Sequence, residues 1–156
     1  MIDKRHVVLP AGFPTIVCLC GSTRFYEEFQ YANYTETMAG RIVLTVGHYP
    51  NSDGGHGEQI GCTPEQKIAL DDLHKRKIEL AEEVLVLNPK CRVCPTCKTV
   101  WRHDSIRVEK CSCGTEIGGV EPVGYIGSST RGEIAHAIKC GKKVRSLEPI
   151  TEETEQ

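Results

Sequence analysis

TIVCLCGSTRFYEEFQYANYTETMAGRIVLTV, residues 15–46, is the stretch that decides the fold. It begins with an apolar run at 15–20, passes through a small polar turn into aromatic and apolar residues at helical spacing, and ends in a second apolar run at 41–46. Gly40 closes the helical part, as glycine commonly does after a helix. The stretch therefore predicts a strand, a helix over 24–40 and a second strand, which form one parallel crossover unit.

The rest of the chain repeats this alternation. Thr63 and Pro64 indicate the start of a helix. The later elements are this helix over 64–83, a buried-type strand at 83–89, the segment VGYIG at 123–127, a helix over 130–140 and a last strand at 142–147. This order predicts an α/β fold with a doubly wound, mainly parallel sheet of the Rossmann or flavodoxin-like kind. Right-handed crossovers then bring the strand-to-helix turns to one edge of the sheet, where such folds bind ligands.

The composition indicates one globular domain. The chain has 156 residues, of which 39% are hydrophobic and 26% charged, so it is long enough to bury a core. The net charge of −2 provides no strong overall attraction to nucleic acid or to an anionic membrane. No apolar run approaches the ~20 residues that span a bilayer, and the N-terminus lacks the apolar region and cleavage site of a signal peptide. We expect a cytoplasmic protein that does not enter a membrane.

Two hydroxyl-rich turns are expected at the ligand-binding edge, GSTR at 21–24 and GSSTR at 127–131. Each precedes a predicted helix, whose free backbone N–H groups are suited to bind phosphate. Ser22 adds a hydroxyl donor and Arg24 a bidentate one. The alternative is purely structural: Ser22 or Thr23 caps the first helix, and Arg24 is solvated.

Glu133 lies in the first turn of the last helix, three residues after Thr130. One interpretation is a capping box, in which each of these two side chains bonds an unpaired backbone N–H. The other is chemical, because a carboxylate beside an anion site can attack a sugar carbon. We favour the chemical role, although both could be met at once.

Asp71 and His74 are the nearest candidates for an acid/base pair. They are three residues apart on a predicted helix, so they can touch, and His74 shares a face with Leu70, Leu73 and Ile78. The alternative is that His74 is a core histidine and Asp71 a solvated charge.

Three segments carry a family resemblance: VCLCGSTRF (17–25), DDLHKRKIELAEEVLVLNP (71–89) and GYIGSSTRGEIAHAIKCGKKV (124–144). In their order and spacing they resemble the nucleoside 2-deoxyribosyltransferase-like superfamily, in its nucleoside 5′-monophosphate N-glycosidase branch. The resemblance covers roughly residues 15–89 and 123–148, which is the whole predicted α/β core.

The resemblance implies cleavage of an N-glycosidic bond, by hydrolysis or by base exchange, with Glu133 as the nucleophile. It also implies a site for the 5′-phosphate of a nucleotide, formed by Gly21, Ser22, Arg24, Gly127, Ser128 and Ser129. The chain departs from the family pattern at Cys18, where several members have tyrosine, and at Gly127, where transferases have aspartate. The contacts that select the base are therefore not carried over. Candidates for that role lie in the loop at 47–63: His48, Tyr49, Asn51, Asp53, His56 and Glu58.

Five of the nine cysteines fall within residues 91–113. Cys94 and Cys97 form a C-x-x-C knuckle and Cys111 and Cys113 a C-x-C pair, with alternating apolar residues between them, which resembles a zinc ribbon inserted at 90–122. Cys91 and His103 are alternative ligands. We expect a structural Zn²⁺, because four thiolates leave no open coordination position.

These observations divide the chain into an α/β domain at 1–89 and 123–150, the cysteine-rich insert, and a flexible tail at 151–156. The leading hypothesis is an enzyme acting on a small nucleotide, in which a homodimer is expected because related enzymes often build sites across a dimer. The alternative is a non-catalytic nucleotide-binding module whose ribbon contacts a protein or nucleic-acid partner. A third reading, a nucleic-acid glycosidase, predicts binding that weakens steeply with salt.

Overall fold

The computed structural model describes residues 9–49, 62–102 and 108–150. These ranges contain three helices and seven strands, in the order β1 Ile16–Gly21, α1 Tyr26–Met38, β2 Ile42–Leu44, α2 Pro64–Leu80, β3 Glu83–Leu87, β4 Lys90–Val93, β5 Val100–Arg102, β6 Val123–Gly124, α3 Ser128–Lys139 and β7 Lys143–Ser146. The tail at 151–156, the loop residues Asn51, Asp53, His56 and Glu58, and His103 lie outside the described residues, so their predicted roles stay predictions.

Four parallel strands form the main sheet in the order β2-β1-β3-β7. Side chains alternate between its faces: Val17 and Leu19 pack with α1 on one side, and Cys18 and Cys20 lie on the side of α2 and α3. The expected α/β class is thus confirmed, with helices on both faces and a strand order compatible with a Rossmann-like fold. The order reverses between β1 and β3, whose carboxyl ends therefore border the crevice in which such folds bind ligands.

The helix starts agree with the sequence at α2 and differ elsewhere. Thr63 is the N-cap of α2 and forms a capping box with Gln66. The N-cap of α1 is Phe25 with no side-chain cap, so Ser22 and Thr23 do not cap that helix.

The start of α3 corrects the capping-box interpretation. Its N-cap is Gly127, so the helix begins two residues before the predicted position and Thr130 lies inside it. Thr130 therefore does not cap α3, and Glu133 has no capping role. The expectation that Glu133 completes a capping box is wrong.

The buried face of α2 is narrower than predicted. His74 and Ile78 are buried, and Ala81 at the helix end joins them against the sheet. Leu73 is 52% exposed, so the prediction that it shares the buried face of His74 is wrong. It lies 100° around the helix from His74, which turns it from the sheet to solvent.

The cysteine-rich insert forms a second, antiparallel sheet of order β5-β4-β6. Val123 and Gly124, which the sequence placed in the α/β core, pair with Cys91 and Lys90 of β4 instead. Their short strand returns the chain from the insert to the edge of the main sheet. No helix in the described ranges is both long and apolar enough to cross a bilayer.

Candidate functional site

A cavity of about 480 Å³ lies at the carboxyl end of β1 and beside the segment that follows β2, between α2 and the start of α3. It is lined by the turn after β1, by the side of α2 that faces α3, and by the first turns of α3. The sequence-predicted residues among its lining are Gly21, Ser22, Asp71, His74, Gly127, Ser128, Ser129 and Glu133. The structure thus gathers around one cavity all the predicted catalytic and phosphate-binding residues except Arg24.

Gly21 allows the turn after β1 to lie close to β3. A Cβ atom at this position would stand 2.9 Å from the carbonyl oxygen of Leu87 and 3.1 Å from its Cβ. Both neighbours belong to the paired strand and cannot move aside independently. A larger residue would therefore separate the two strand ends that border the cavity.

Glu133 is buried in the cavity wall. Its Oε1 atom is 3.8 Å from Nε2 of His74, and its Oε2 atom is buried without a hydrogen-bond partner. Burial raises the pKa of Glu133 to about 7, against the opposing effect of His74. A carboxyl group with these properties can exchange a proton near neutral pH and has one oxygen free for a ligand.

His74 faces two thiols as well as Glu133. Its Nε2 atom is 3.4 Å from Sγ of Cys20 and 3.9 Å from Sγ of Cys18. The hydrogen bond between the thiols lowers the pKa of Cys18 to about 6 and raises that of Cys20. Burial by itself would lower the pKa of His74, but the contacts with Cys18 and Glu133 raise it overall. These thiols belong to a strand that the sequence showed as an apolar run, and only their approach to α2 reveals their position beside the cavity.

Asp71 does not bond His74 as expected. Its Oδ2 atom accepts a hydrogen bond from Nζ of Lys67 at 2.9 Å, and Nδ1 of His74 has no partner. The same Lys67 ammonium lies 3.2 Å from Oγ of Ser129 across the cavity mouth. The sequence analysis missed Lys67, because its link to a residue 62 positions away has no local signal.

The start of α3 presents its backbone to the cavity. The N-cap is a glycine, Gly127, and no side chain caps the helix. Ser128 and Ser129 line the cavity beside these first amide groups. Backbone N–H groups, two hydroxyls and the Lys67 ammonium together make a site suited to an anion.

Arg24 is the predicted phosphate ligand that does not line this cavity. Its guanidinium carbon lies 5.2 Å from the centre of the Tyr125 ring, and its Nε atom is buried without a partner. Tyr125 does line the cavity and packs edge-on against Phe25. Arg24 therefore supports an aromatic wall that sequence reasoning did not single out.

The described part of the loop at 47–63 contributes one cavity residue from the predicted base-recognition set. His48 lines the cavity. Tyr49 instead packs against Tyr26 and Phe29 on the opposite face of the sheet, and its hydroxyl bonds Thr45. Tyr49 is therefore a partly buried residue that packs against the core and does not line the cavity.

A larger cavity of about 810 Å³ lies between α1 and the strands β3 and β7. Apolar side chains and carboxylates line much of its wall, and two of these carboxylates are paired with arginines. Glu36 bonds Arg145, and Glu28 bonds Arg102. Among the described side chains it contains no buried carboxylate without a partner, whereas the smaller cavity contains Glu133, so the smaller cavity is the better candidate site.

Cys94, Cys97, Cys111 and Cys113 form a four-cysteine cluster, as their spacing predicted. Sγ of Cys94 lies 3.6 Å from that of Cys113, and Sγ of Cys97 lies 3.4 Å from that of Cys111. Four thiolates bound to one tetrahedral zinc ion would be about 3.8 Å apart, given Zn–S bonds of about 2.3 Å. The cluster therefore has the size of a tetrahedral metal site.

Two tight turns hold this cluster. Lys98, with a φ of 61°, and Gly114, with a φ of 92°, occupy the left-handed region after the two cysteine pairs. Their amides donate to the carbonyl oxygens of Cys94 and Cys111. Cys91 is a strand residue paired with Arg102 and lies outside the four-cysteine cluster.

The insert contacts the main domain at α1 and continues into the cavity lining at its C-terminal end. The guanidinium of Arg102 in β5 donates two hydrogen bonds, of 2.6 and 2.8 Å, to the carboxylate of Glu28 in α1. At the other end of the insert, β6 leads directly into the cavity residue Tyr125. The insert therefore influences the position of the aromatic wall.

In comparisons with protein-family models, curated proteins and solved structures, no match to this chain was found. The resemblance to the nucleoside 2-deoxyribosyltransferase-like superfamily stays a prediction from the sequence segments.

Proposed function

We propose that this protein breaks the N-glycosidic bond of a nucleoside 5′-monophosphate, with Glu133 as the nucleophile. The observation that carries the proposal is the Glu133 carboxyl group, buried and with Oε2 unpartnered, in the same cavity as an anion site at the start of α3. A nucleotide has a phosphate and an anomeric carbon as neighbouring recognition points. The cavity offers groups suited to both.

The phosphate is assigned to the α3 end of the cavity. Backbone amides of the first turn, the hydroxyls of Ser128 and Ser129, and the Lys67 ammonium would donate to its oxygens. Ser22 faces the same cavity from the turn after β1. In this assignment Lys67 takes the cationic role that the sequence analysis gave to Arg24.

The sugar is assigned to the space beside Glu133. Its carboxylate would attack C1′ as the bond from C1′ to the base nitrogen breaks, with the electron pair leaving on the base. Water then hydrolyses the glycosyl ester and releases the sugar phosphate, or a second base takes its place. His74, 3.8 Å from the carboxylate, would hold it in position.

The departing base needs a proton. Asp71 is the candidate donor from the sequence analysis that is open to the cavity, since its side chain is 43% exposed. His74 is only 3% exposed and faces Glu133. We therefore assign to Asp71 the relay of a proton from solvent water to the departing base, and to His74 the positioning role.

We further propose that the four-cysteine cluster holds a structural Zn²⁺. The small sheet has little core of its own: Cys94, Cys111 and Ile117 are buried, with Trp101 packed against them. A metal bond between the two turns would supply the stability that so small a core lacks. The chemistry of nucleotide cleavage does not pass through this ion.

The test is base release from a panel of ribo- and deoxyribonucleoside 5′-monophosphates, followed by chromatography. Glu133→Gln keeps the size of the side chain and removes its charge, and we expect base release to fall at least about 100-fold. The matched control is Glu79→Gln, on the exposed side of α2, where the amide can still accept from Arg76. It should release base at the wild-type rate.

Equal rates for wild type and Glu133→Gln would overturn the assignment of the nucleophile. No base release from any nucleotide, with and without acceptor bases, would overturn the enzymatic proposal. Nucleotide binding without release would then favour the binding-module alternative.

A further inference from the structure

A second set of metal-ligating groups lies at the nucleotide cavity, with two members in its lining and two on the neighbouring strand β1. Cys18 and Cys20 are two residues apart on β1, so their side chains point to the same face of the sheet. His74 from α2 and Glu133 from α3 meet them there. The two Sγ atoms and Nε2 of His74 all lie within 4.8 Å of one another. We call these four residues the cavity-wall cluster.

The distances suit a tetrahedral metal ion. Bonds of about 2.3 Å to sulfur and about 2.1 Å to nitrogen place sulfur and nitrogen ligands about 3.6 Å apart. The observed separations from Nε2 of His74 are 3.4 Å to Cys20 and 3.9 Å to Cys18. Two ligands come from alternate positions of a central strand and one from each of the two packed helices, so the site is largely preformed.

Glu133 provides an independent indication of a ligand at this place. Its side chain is 9% exposed, its Oε1 atom is 3.8 Å from the same Nε2 atom, and its Oε2 atom has no partner. An ionised carboxylate in such a position is costly unless a cation or hydrogen-bond donor meets it. A metal ion on Cys18, Cys20 and His74 would meet it.

The ligand set selects the kind of ion. Two thiols, an imidazole and a carboxylate favour zinc and the related thiophilic ions cobalt and cadmium over magnesium or calcium, which prefer oxygen ligands. His74 and Glu133 line the cavity, so an ion can enter from solvent. On binding, any of these ligands that still carries a proton at its metal-binding atom would release it to solvent.

We propose that Cys18, Cys20, His74 and Glu133 bind a zinc-class ion, at a site separate from the four-cysteine cluster, and that the bound ion blocks nucleotide cleavage. The block follows because the ion occupies both the nucleophile and the histidine that positions it. The binding site stands on geometry alone, whereas the inhibition rests on the proposed function.

Metal content of the folded protein tests the site directly. After equilibration with buffered zinc and removal of free ion, the wild type should hold about two zinc ions per chain, one for each cluster. Cys20→Ser, which preserves size but replaces a thiol, should hold about one, and its affinity for the second should fall about 10-fold or more. Cys140→Ser, at an exposed thiol outside both clusters, should hold two.

Cadmium-113 NMR of the wild type keeps the test decisive if Cys20→Ser does not fold. Two resonances are expected, one in the range of four sulfur ligands and one in the range of mixed sulfur, nitrogen and oxygen ligands. A single resonance of the four-sulfur kind, with about one zinc ion per chain, would overturn the second site.

Base release tests the inhibition separately. Zinc added beyond the first equivalent should abolish wild-type and Cys140→Ser activity, and a chelator too weak to strip four thiolates should restore it. Activity unaffected by a filled second site would overturn the inhibition while leaving the metal site standing. Two bound ions with no base release under any condition would retain the site and reject the proposed function.

Discussion

Gly21→Ala tests whether the close approach of β1 and β3 shapes the cavity edge. The new methyl group would stand 2.9 Å from the carbonyl oxygen of Leu87, closer than real Cβ contacts allow. Overpacking of this kind destabilises the fold by about 1–3 kcal/mol. Alanine also reduces the conformational entropy of the unfolded chain, which stabilises the fold by about 0.4–1 kcal/mol. We therefore expect a net loss of about 1–2 kcal/mol in the free energy of unfolding.

Gly132→Ala is the matched control. Gly132 lies in α3, and a Cβ atom there would meet nothing within 4 Å. Alanine in a helix is more stable than glycine by about 0.5–1 kcal/mol, so this variant should be more stable than wild type.

Thermal unfolding followed by circular dichroism measures both variants at the same zinc concentration. At about 2–4 °C per kcal/mol for a chain of this length, Gly21→Ala should lower Tm by about 2–8 °C and Gly132→Ala should raise it by about 1–4 °C. A Gly21→Ala protein at or above the wild-type Tm, with Gly132→Ala stabilised, would refute the argument that β3 excludes a side chain at Gly21.

Three further predictions concern the anion site, the insert and a buried carboxylate. Lys67→Met should lower kcat/KM for a nucleoside monophosphate about 10-fold, because a charged hydrogen bond contributes about 1.5–3 kcal/mol and half-exposed Lys67 falls at the lower end. The rate with the free nucleoside should fall much less, since only the bond from Lys67 to Asp71 is then lost. An equal loss for both substrates would remove Lys67 from the phosphate site. Chelation of zinc, or Cys97→Ser, should shift the fluorescence emission of Trp101, the single tryptophan, to longer wavelength, because Trp101 packs against the cysteine cluster. The circular dichroism signal of the helices should persist. Unchanged fluorescence after metal loss would contradict a structural ion. Burial by itself would raise the pKa of Glu36, but hydrogen bonds from Arg145 and Arg41 outweigh burial and lower the pKa overall. This pairing therefore stabilises the fold above the unfolded-state pKa of Glu36, and the stabilisation is lost as the pH falls through the lower folded-state pKa. Glu36→Gln should flatten the acid side of a plot of Tm against pH, and an unchanged acid side would contradict that role.

The fold was accessible from sequence because its signals are local. The periodicity of the helices, the apolar strands and the capping residue Thr63 each act within a few neighbouring positions. The start of α3 was less well defined, because consecutive hydroxyl residues at 128–130 offer several caps and the structure uses Gly127 instead. The two-residue strand at Val123 was misplaced because its partner lies about thirty positions away.

The site residues also differ in whether a local sequence signal reveals them. The hydroxyl turns and Glu133 could be predicted, because strand-to-helix turns of a parallel sheet converge at one edge. The four-cysteine cluster followed from cysteine spacing. Lys67 and Tyr125 could not be predicted from local patterns. Lys67 lies on α2 and contacts Ser129 on α3, and Tyr125 enters the cavity lining directly after the insert.

The most direct test of the account is the mass of the protein quenched in acid during turnover. Attack by Glu133 on C1′ predicts a sugar-phosphate adduct on the wild-type chain, located by proteolysis to the peptide that contains Glu133, and no adduct on Glu133→Gln. Base release that continues undiminished in Glu133→Gln, with no adduct on the wild type, would contradict the assignment of this carboxylate as the nucleophile.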